Sequence, residues 1–183
     1  MTLSGGVKMR RAIVAAGVAA VVVCGWAQEA RLAEWHQASD TELRSVIPAR
    51  APVVQERIET EMRSASGITN GHGKYIAGVV LITAGYSAEG KYSHFFLTQV
   101  PLKVGNDLRL APGDYLLGYT HGENGLLIHL YEAATGKLVG TVTATLIPGI
   151  TRVEEIRIWP PGDRHMIQIG RFGFGYQIGS QGT

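Results

Sequence analysis

The stretch LAPGDYLLGYTHGENGLLIHLYEAATGKLVGTVTATL, Leu110 to Leu146, decides the class of fold. It reads as three strands joined by two tight turns. Leu110-Ala-Pro-Gly-Asp114 leads in as a turn, with Pro112 presetting φ and Gly113 supplying a positive φ. The first strand then runs from Tyr115 to His121. Gly122-Glu-Asn-Gly125 reverses the chain, and Asn124-Gly125 is a strong hairpin signal. The second strand is Leu126 to Glu132. Ala134-Thr-Gly-Lys137 reads as a type I turn with Gly136 in the left-handed position of a bulge, and the third strand is Leu138 to Leu146.

The first hairpin carries a register that can be checked. An even-numbered loop keeps opposing pairs on the same face. One face then holds Tyr115, Leu117, Tyr119 and His121 with Leu126, Ile128, Leu130 and Glu132. The other holds Leu116, Gly118 and Thr120 with Leu127, His129 and Tyr131. A solvated meander alternates apolar with polar, and this ribbon is apolar on both sides. It is therefore expected to be covered on both faces, or to turn one face to a pocket or interface.

Working outward, the N-terminus reads as a targeting segment. Lys8, Arg10 and Arg11 precede the uncharged run Ala12 to Val23, and Gly25-Trp-Ala27 is a small-x-small cleavage site. Residues 1–27 are thus expected to be a cleaved signal peptide. The apolar run is short against the ~20 residues a spanning helix needs. Val23 before Cys24 fits a lipoprotein site poorly. Removing the segment takes Lys+Arg from 17 to 14 against 15 Asp+Glu, and the net charge from +2 to −1. No electrostatic case for nucleic acid or an anionic membrane surface remains. Cys24, the single cysteine, leaves with it, so no disulfide and no thiol chemistry are expected. The reading is a secreted or periplasmic protein with no stable membrane span.

Residues 28–66 read as a helical lead-in. Ser39-Asp-Thr-Glu42 offers N-caps for a brief helix ending before Pro48. Pro52 suits the first turn of a second helix to about Ala65, with Val54, Ile58 and Met62 as its narrow stripe. Ser66 to Gly73 is a turn-rich boundary, and residues 67–183 form the β domain. Lys74 to Ala84 is a strand buried on both faces, and Tyr92 to Val100 follows it, ended by Pro101. Short strands at Leu102–Val104 and Leu108–Leu110 flank a turn at Gly105-Asn-Asp107. Val153–Trp159 and Arg164–Gly170 form a last hairpin around Pro160-Pro-Gly-Asp163, with one wet side carrying Arg157, Met166 and Gln168. Phe172, Phe174 and Tyr176 alternate with glycines in a closing strand where another backbone comes near. The fold class is mainly β: an antiparallel β-sandwich or small β-barrel of about seven to nine strands, preceded by a short helical segment.

No chemical motif is complete. His72, His94, His121, His129 and His165 are scattered, without HxH or HExxH, and His121 and His129 fall on opposite ribbon faces. No metal and no cofactor are expected. Gly85-Tyr-Ser-Ala-Glu89 lacks the last glycine of a nucleophile elbow. Gly71-His-Gly-Lys74 and Gly170-Arg-Phe-Gly173-Phe-Gly175 fail as phosphate loops. The acids sit at turns and strand ends. The aromatics remain as the most suggestive feature, since aromatic faces stack on apolar ligand surfaces. Tyr115, Tyr119, His121, His129, Tyr131, Phe172, Phe174 and Tyr176 are the candidate ligand-binding residues. The expectation is an exported, non-catalytic β protein binding a protein partner or a small apolar or sugar ligand, or serving in the envelope. The alternative is a small extracytoplasmic hydrolase pairing His94, His121 or His129 with a carboxylate.

Overall fold

The computed structural model describes residues 34–179, so the expected signal peptide, Cys24 and the start of the lead-in lie outside the described residues. The elements in chain order are β1 (His36–Gln37), α1 (Asp40–Val46), β2 (Arg50–Val53), β3 (Glu56–Thr69), β4 (Tyr75–Leu81), β5 (His94–Thr98) and β6 (Leu102–Val104). They continue with β7 (Leu108–Leu110), β8 (Gly113–Gly122), β9 (Gly125–Glu132), β10 (Leu138–Leu146), β11 (Glu154–Ile158), β12 (Met166–Gly170) and β13 (Phe172–Ile178).

The protein is mainly β, with its strands in one curled antiparallel sheet shaped as a half-barrel. The order is β1-β3-β4-β5-β8-β9-β10-β13-β12-β11, with β2 added to β3 and the β6–β7 hairpin added to β13. Curling brings the last strand back towards the first. The Ile158 amide on β11 donates to the Ser66 hydroxyl on β3 at 2.9 Å, and an added Cβ at Gly78 on β4 would meet Ile156 on β11. The two ends meet by side chains where a full barrel would have a ladder.

The ribbon from Gly113 to Leu146 sits mid-sheet with the expected register. Tyr115 opposes Glu132, Gly118 opposes His129, His121 opposes Leu126, and Gly122 opposes Gly125. The two-residue loop Glu123-Asn124 holds this phase, and Gly136 is left-handed at φ 68 before the bulge between Leu138 and Gly140. Both faces are covered over half the ribbon. Leu117, Ile128 and Leu130 enter the core inside the curl with Phe96, Ile158 and Phe174. Leu116, with Tyr131 packed beside it, joins a second core outside β4 and β5, closed by Leu43 of α1, its C-cap Ile47, and Ala51 and Val53 of β2. Each such aliphatic or aromatic burial contributes about 1.5–3 kcal/mol.

Several expectations are corrected. There are thirteen strands among the described residues instead of seven to nine: β1, β2 and β3 form where a helical lead-in was expected, while β6 and β7 are the short pair expected from the sequence. They form one sheet, so there is no sandwich. The helical lead-in is also overturned. The capping box at Ser39 and Glu42 does start α1, but residues 56–69 form β3, the longest strand among the described residues. Positions 54, 58 and 62 are all even, so the stripe that suits a helix suits a strand equally. Pairing decides it: β2 lies against β3, with Val53 opposite Glu56. The boundary moves as well, since Ser66 to Thr69 end β3 and only 70–73 turn. Gly113 opens β8 and does not take the positive φ assigned to it.

The last hairpin keeps its faces but slips by two, pairing Ile158 with Ile167 and Arg157 with Gln168. Its wet side is not wet at Gln168, which is fully buried. The Gln168 amide donates to the Arg152 and Gly170 carbonyls, and its oxygen accepts from the Trp159 indole at 3.1 Å. The segment before β11 has folded over that face. Gln168→Leu is expected to cost about 2–4 kcal/mol, because it removes in one step the partner of an indole N–H and of two carbonyls. Urea denaturation reads this as a lowered midpoint at unchanged slope. A cost under about 1 kcal/mol would mean that water reaches these groups.

Candidate functional site

Antiparallel pairing brings one set of strand ends to one end of the half-barrel. There β4, β8 and β12 finish and β5, β9, β11 and β13 start. Between them lies an open cleft of about 660 Å³. Its apolar wall includes Tyr119, Leu126, Ile169 and Phe172, and its polar groups include Lys91, Ser93, His94, His121, Glu154 and Glu155. The interior beyond is filled by side chains, so the cleft is a mouth and not a through-channel.

His94 forms the floor. It is 4% exposed and tied at both ring nitrogens. Nε2 lies 3.1 Å from the Glu155 carbonyl oxygen, which can only accept, so this nitrogen carries the proton. Nδ1 is therefore an acceptor, 2.8 Å from the Ser93 hydroxyl, whose one proton is shared between this nitrogen and the Leu117 carbonyl at 3.1 Å. The bulge between Glu154 and Arg157 frees the Glu155 carbonyl for this bond. Burial pushes the imidazole down to about 4, against a smaller upward pull from that backbone bond, so the ring is neutral at pH 7.

Gly118 lets the 91–93 segment close onto β8. A Cβ there would collide with the Lys91 carbonyl, and the Ser93 amide donates to the Leu117 carbonyl at 2.8 Å. The open side is aromatic. Tyr119 is 42% exposed, and its ring meets His121 edge-on at 6.1 Å. Exposed apolar side chains also gather at this end, Ile82, Leu146 and Val153 among them.

The eight candidate residues separate. Tyr119, His121 and Phe172 line the cleft. Tyr115 is buried inside the curl, and its hydroxyl donates to the Ala111 carbonyl at 2.7 Å. Phe174 and Tyr176 are also interior, and the Tyr176 hydroxyl donates to the Trp159 carbonyl at 2.7 Å. Burial holds that phenol well above its usual range. His129 and Tyr131 lie on the opposite ribbon face. His129 lies 3.2 Å from the Thr120 hydroxyl, while Tyr131 meets Tyr92 edge-on at 5.1 Å, with the Lys91 ammonium over both rings.

Ser93, Lys91, Glu154 and Glu155 were not among the candidates. A Ser-His pair opening an apolar strand was the available signal for the first. Nothing in sequence places residues 153–155 beside residue 94. Among the described residues, none of His94, His121 and His129 is hydrogen-bonded to another of the three or to a carboxylate, and no three His, Cys, Asp or Glu side chains are grouped to hold a metal ion. Comparison with family models, curated proteins and solved structures gave no match.

Proposed function

We propose that the protein is an exported, non-catalytic β domain that binds a small amphiphilic ligand, a sugar or an apolar molecule with a polar end, in the cleft at the mouth of the half-barrel. The basic, apolar, small-residue order of residues 1–27 supports export. The observation that carries the binding reading is convergence. Three side chains expected from sequence to bind a ligand, Tyr119, His121 and Phe172, meet at this cleft, with the tyrosine ring half open to solvent. An apolar wall with a few convergent polar groups is what a small-molecule site requires. A binding role is also supported over a chemical one by His94. Its ring nitrogens are engaged by a backbone carbonyl and a neighbouring hydroxyl, and its depressed basicity makes it a poor proton acceptor.

A thermal-shift screen of monosaccharides, disaccharides and short-chain amphiphiles tests this, because a ligand of the native state raises the midpoint. A hit is expected to bind roughly tenfold to a hundredfold more weakly to Tyr119→Ala/Phe172→Ala, since two ring contacts of about 1 kcal/mol each are lost. Hits that the double variant binds as well as the wild type would remove the cleft from consideration.

A further inference from the structure

A second arrangement lies apart from the cleft, at the far end of β11. Trp159 follows β11, and its indole N–H is fixed by Gln168 at 3.1 Å. Two guanidinium groups lie on this one ring. The carbon of Arg157 is 4.5 Å from the ring centroid, and that of Arg164 is 5.0 Å from it. The two carbons are thus at most 9.5 Å apart, the sum of those distances. Among the described residues, neither arginine is ion-paired. The ion pairs among the described residues engage Arg50, Arg63, Lys103 and Arg152. Glu155 and Asp163 are the acids adjacent in sequence, and neither is paired with Arg157 or Arg164.

The independent observation is at Arg157, whose Nε is buried with no hydrogen-bond partner among the described residues. A buried charged donor left unpaired is costly, and a missing ion or ligand is a standard reason for one. Guanidinium groups stack on aromatic faces while keeping donors for a planar or tetrahedral oxyanion. We propose that Arg157, Trp159 and Arg164 form an oxyanion-binding site that takes a phosphate group, free or carried on a larger molecule. The fixed indole sets the two cations in place, and the anion accepts from both.

The test uses the full chain labelled with 15N and follows the Trp159 indole N–H resonance, assigned by its loss in Trp159→Phe. Inorganic phosphate, glucose 6-phosphate and dihexanoyl phosphatidic acid are titrated separately against sodium chloride at matched ionic strength. A saturable shift is expected with phosphate groups and not with chloride, at least tenfold weaker in Arg157→Gln/Arg164→Gln. The exposed Arg164→Gln single change gives a weakened, still folded reference. The ligand that binds tightest identifies the source of the phosphate. No saturable shift with any of the three, an equal shift with chloride, or unchanged binding by the double variant would overturn the site.

Discussion

Acidification from pH 7 to pH 4 is expected to remove on the order of 3 kcal/mol of stability through His94 alone. The folded-state value is about 4 against 6.5 for the free side chain, and each unit of difference corresponds to about 1.4 kcal/mol. The sign follows from proton counting. Between these two values the unfolded chain binds a proton that the folded chain refuses. The stabilisation is complete above about 6.5 and is lost as pH falls towards 4. His165, also lowered by burial, adds in the same direction. Asp114, raised by burial, works the other way. The lowered carboxylates Glu42 and Glu61 lose their hydrogen-bonded advantage only at the acid end.

His94→Gln isolates the effect. A glutamine amide is able to donate to the Glu155 carbonyl and accept from Ser93 without titrating. Urea denaturation from pH 7.5 to pH 4 is expected to show a shallower decline in the variant, by most of the 3 kcal/mol. Parallel declines in the two proteins would mean that charged His94 finds solvent in the folded state.

Gly118→Ala is expected to cost about 2–4 kcal/mol and to damage the cleft in the same step. The added methyl meets the Lys91 carbonyl, a backbone atom with no rotamer to escape through. Overpacking of this kind costs about 1–3 kcal/mol. Moving the 91–93 segment aside also breaks the 2.8 Å bond from the Ser93 amide to Leu117, a further 0.5–1.5 kcal/mol or so. It shifts Ser93 away from His94, and so opens the floor of the cleft. Gly122→Ala is the control, because its Cβ meets only the Gly125 carbonyl at an ordinary 3.6 Å. It should cost well under about 1 kcal/mol beyond the glycine–alanine difference in strand preference. Equal costs at the two positions would show that residue 118 is loose and that the 91–93 segment yields without penalty.

The parts of the fold legible in the sequence were those set by local chemistry. Asn124-Gly125 permitted one tight loop phase, and period two then fixed which side chains of β8 and β9 share a face, including the separation of His121 from His129. Gly136 marked the second turn, and β10 runs from Leu138 to Leu146 as read. The Ser39 capping box placed α1. Where two periods coincide, local reading had no basis for a choice. Val54, Ile58 and Met62 fit helix and strand alike, and β3 forms because β2 and β4 offer it ladders on both sides.

The candidate site divides along the same line. Alternation placed Phe172, Phe174 and Tyr176 on one face of β13, and all three pack with the inner core. Their depth along the barrel was not in the pattern. Phe172 reaches the mouth because β13 begins there, while Phe174 and Tyr176 lie further in and are buried. Sequence by itself therefore determined the turns, the strand phases and the mainly β class, since these depend on residues a few positions apart. Curling of the sheet decided the rest. It carries Glu155 to His94, across 61 positions of chain, and Ile158 to Ser66, across 92, because burying both faces of an apolar ribbon requires distant strands to close over it.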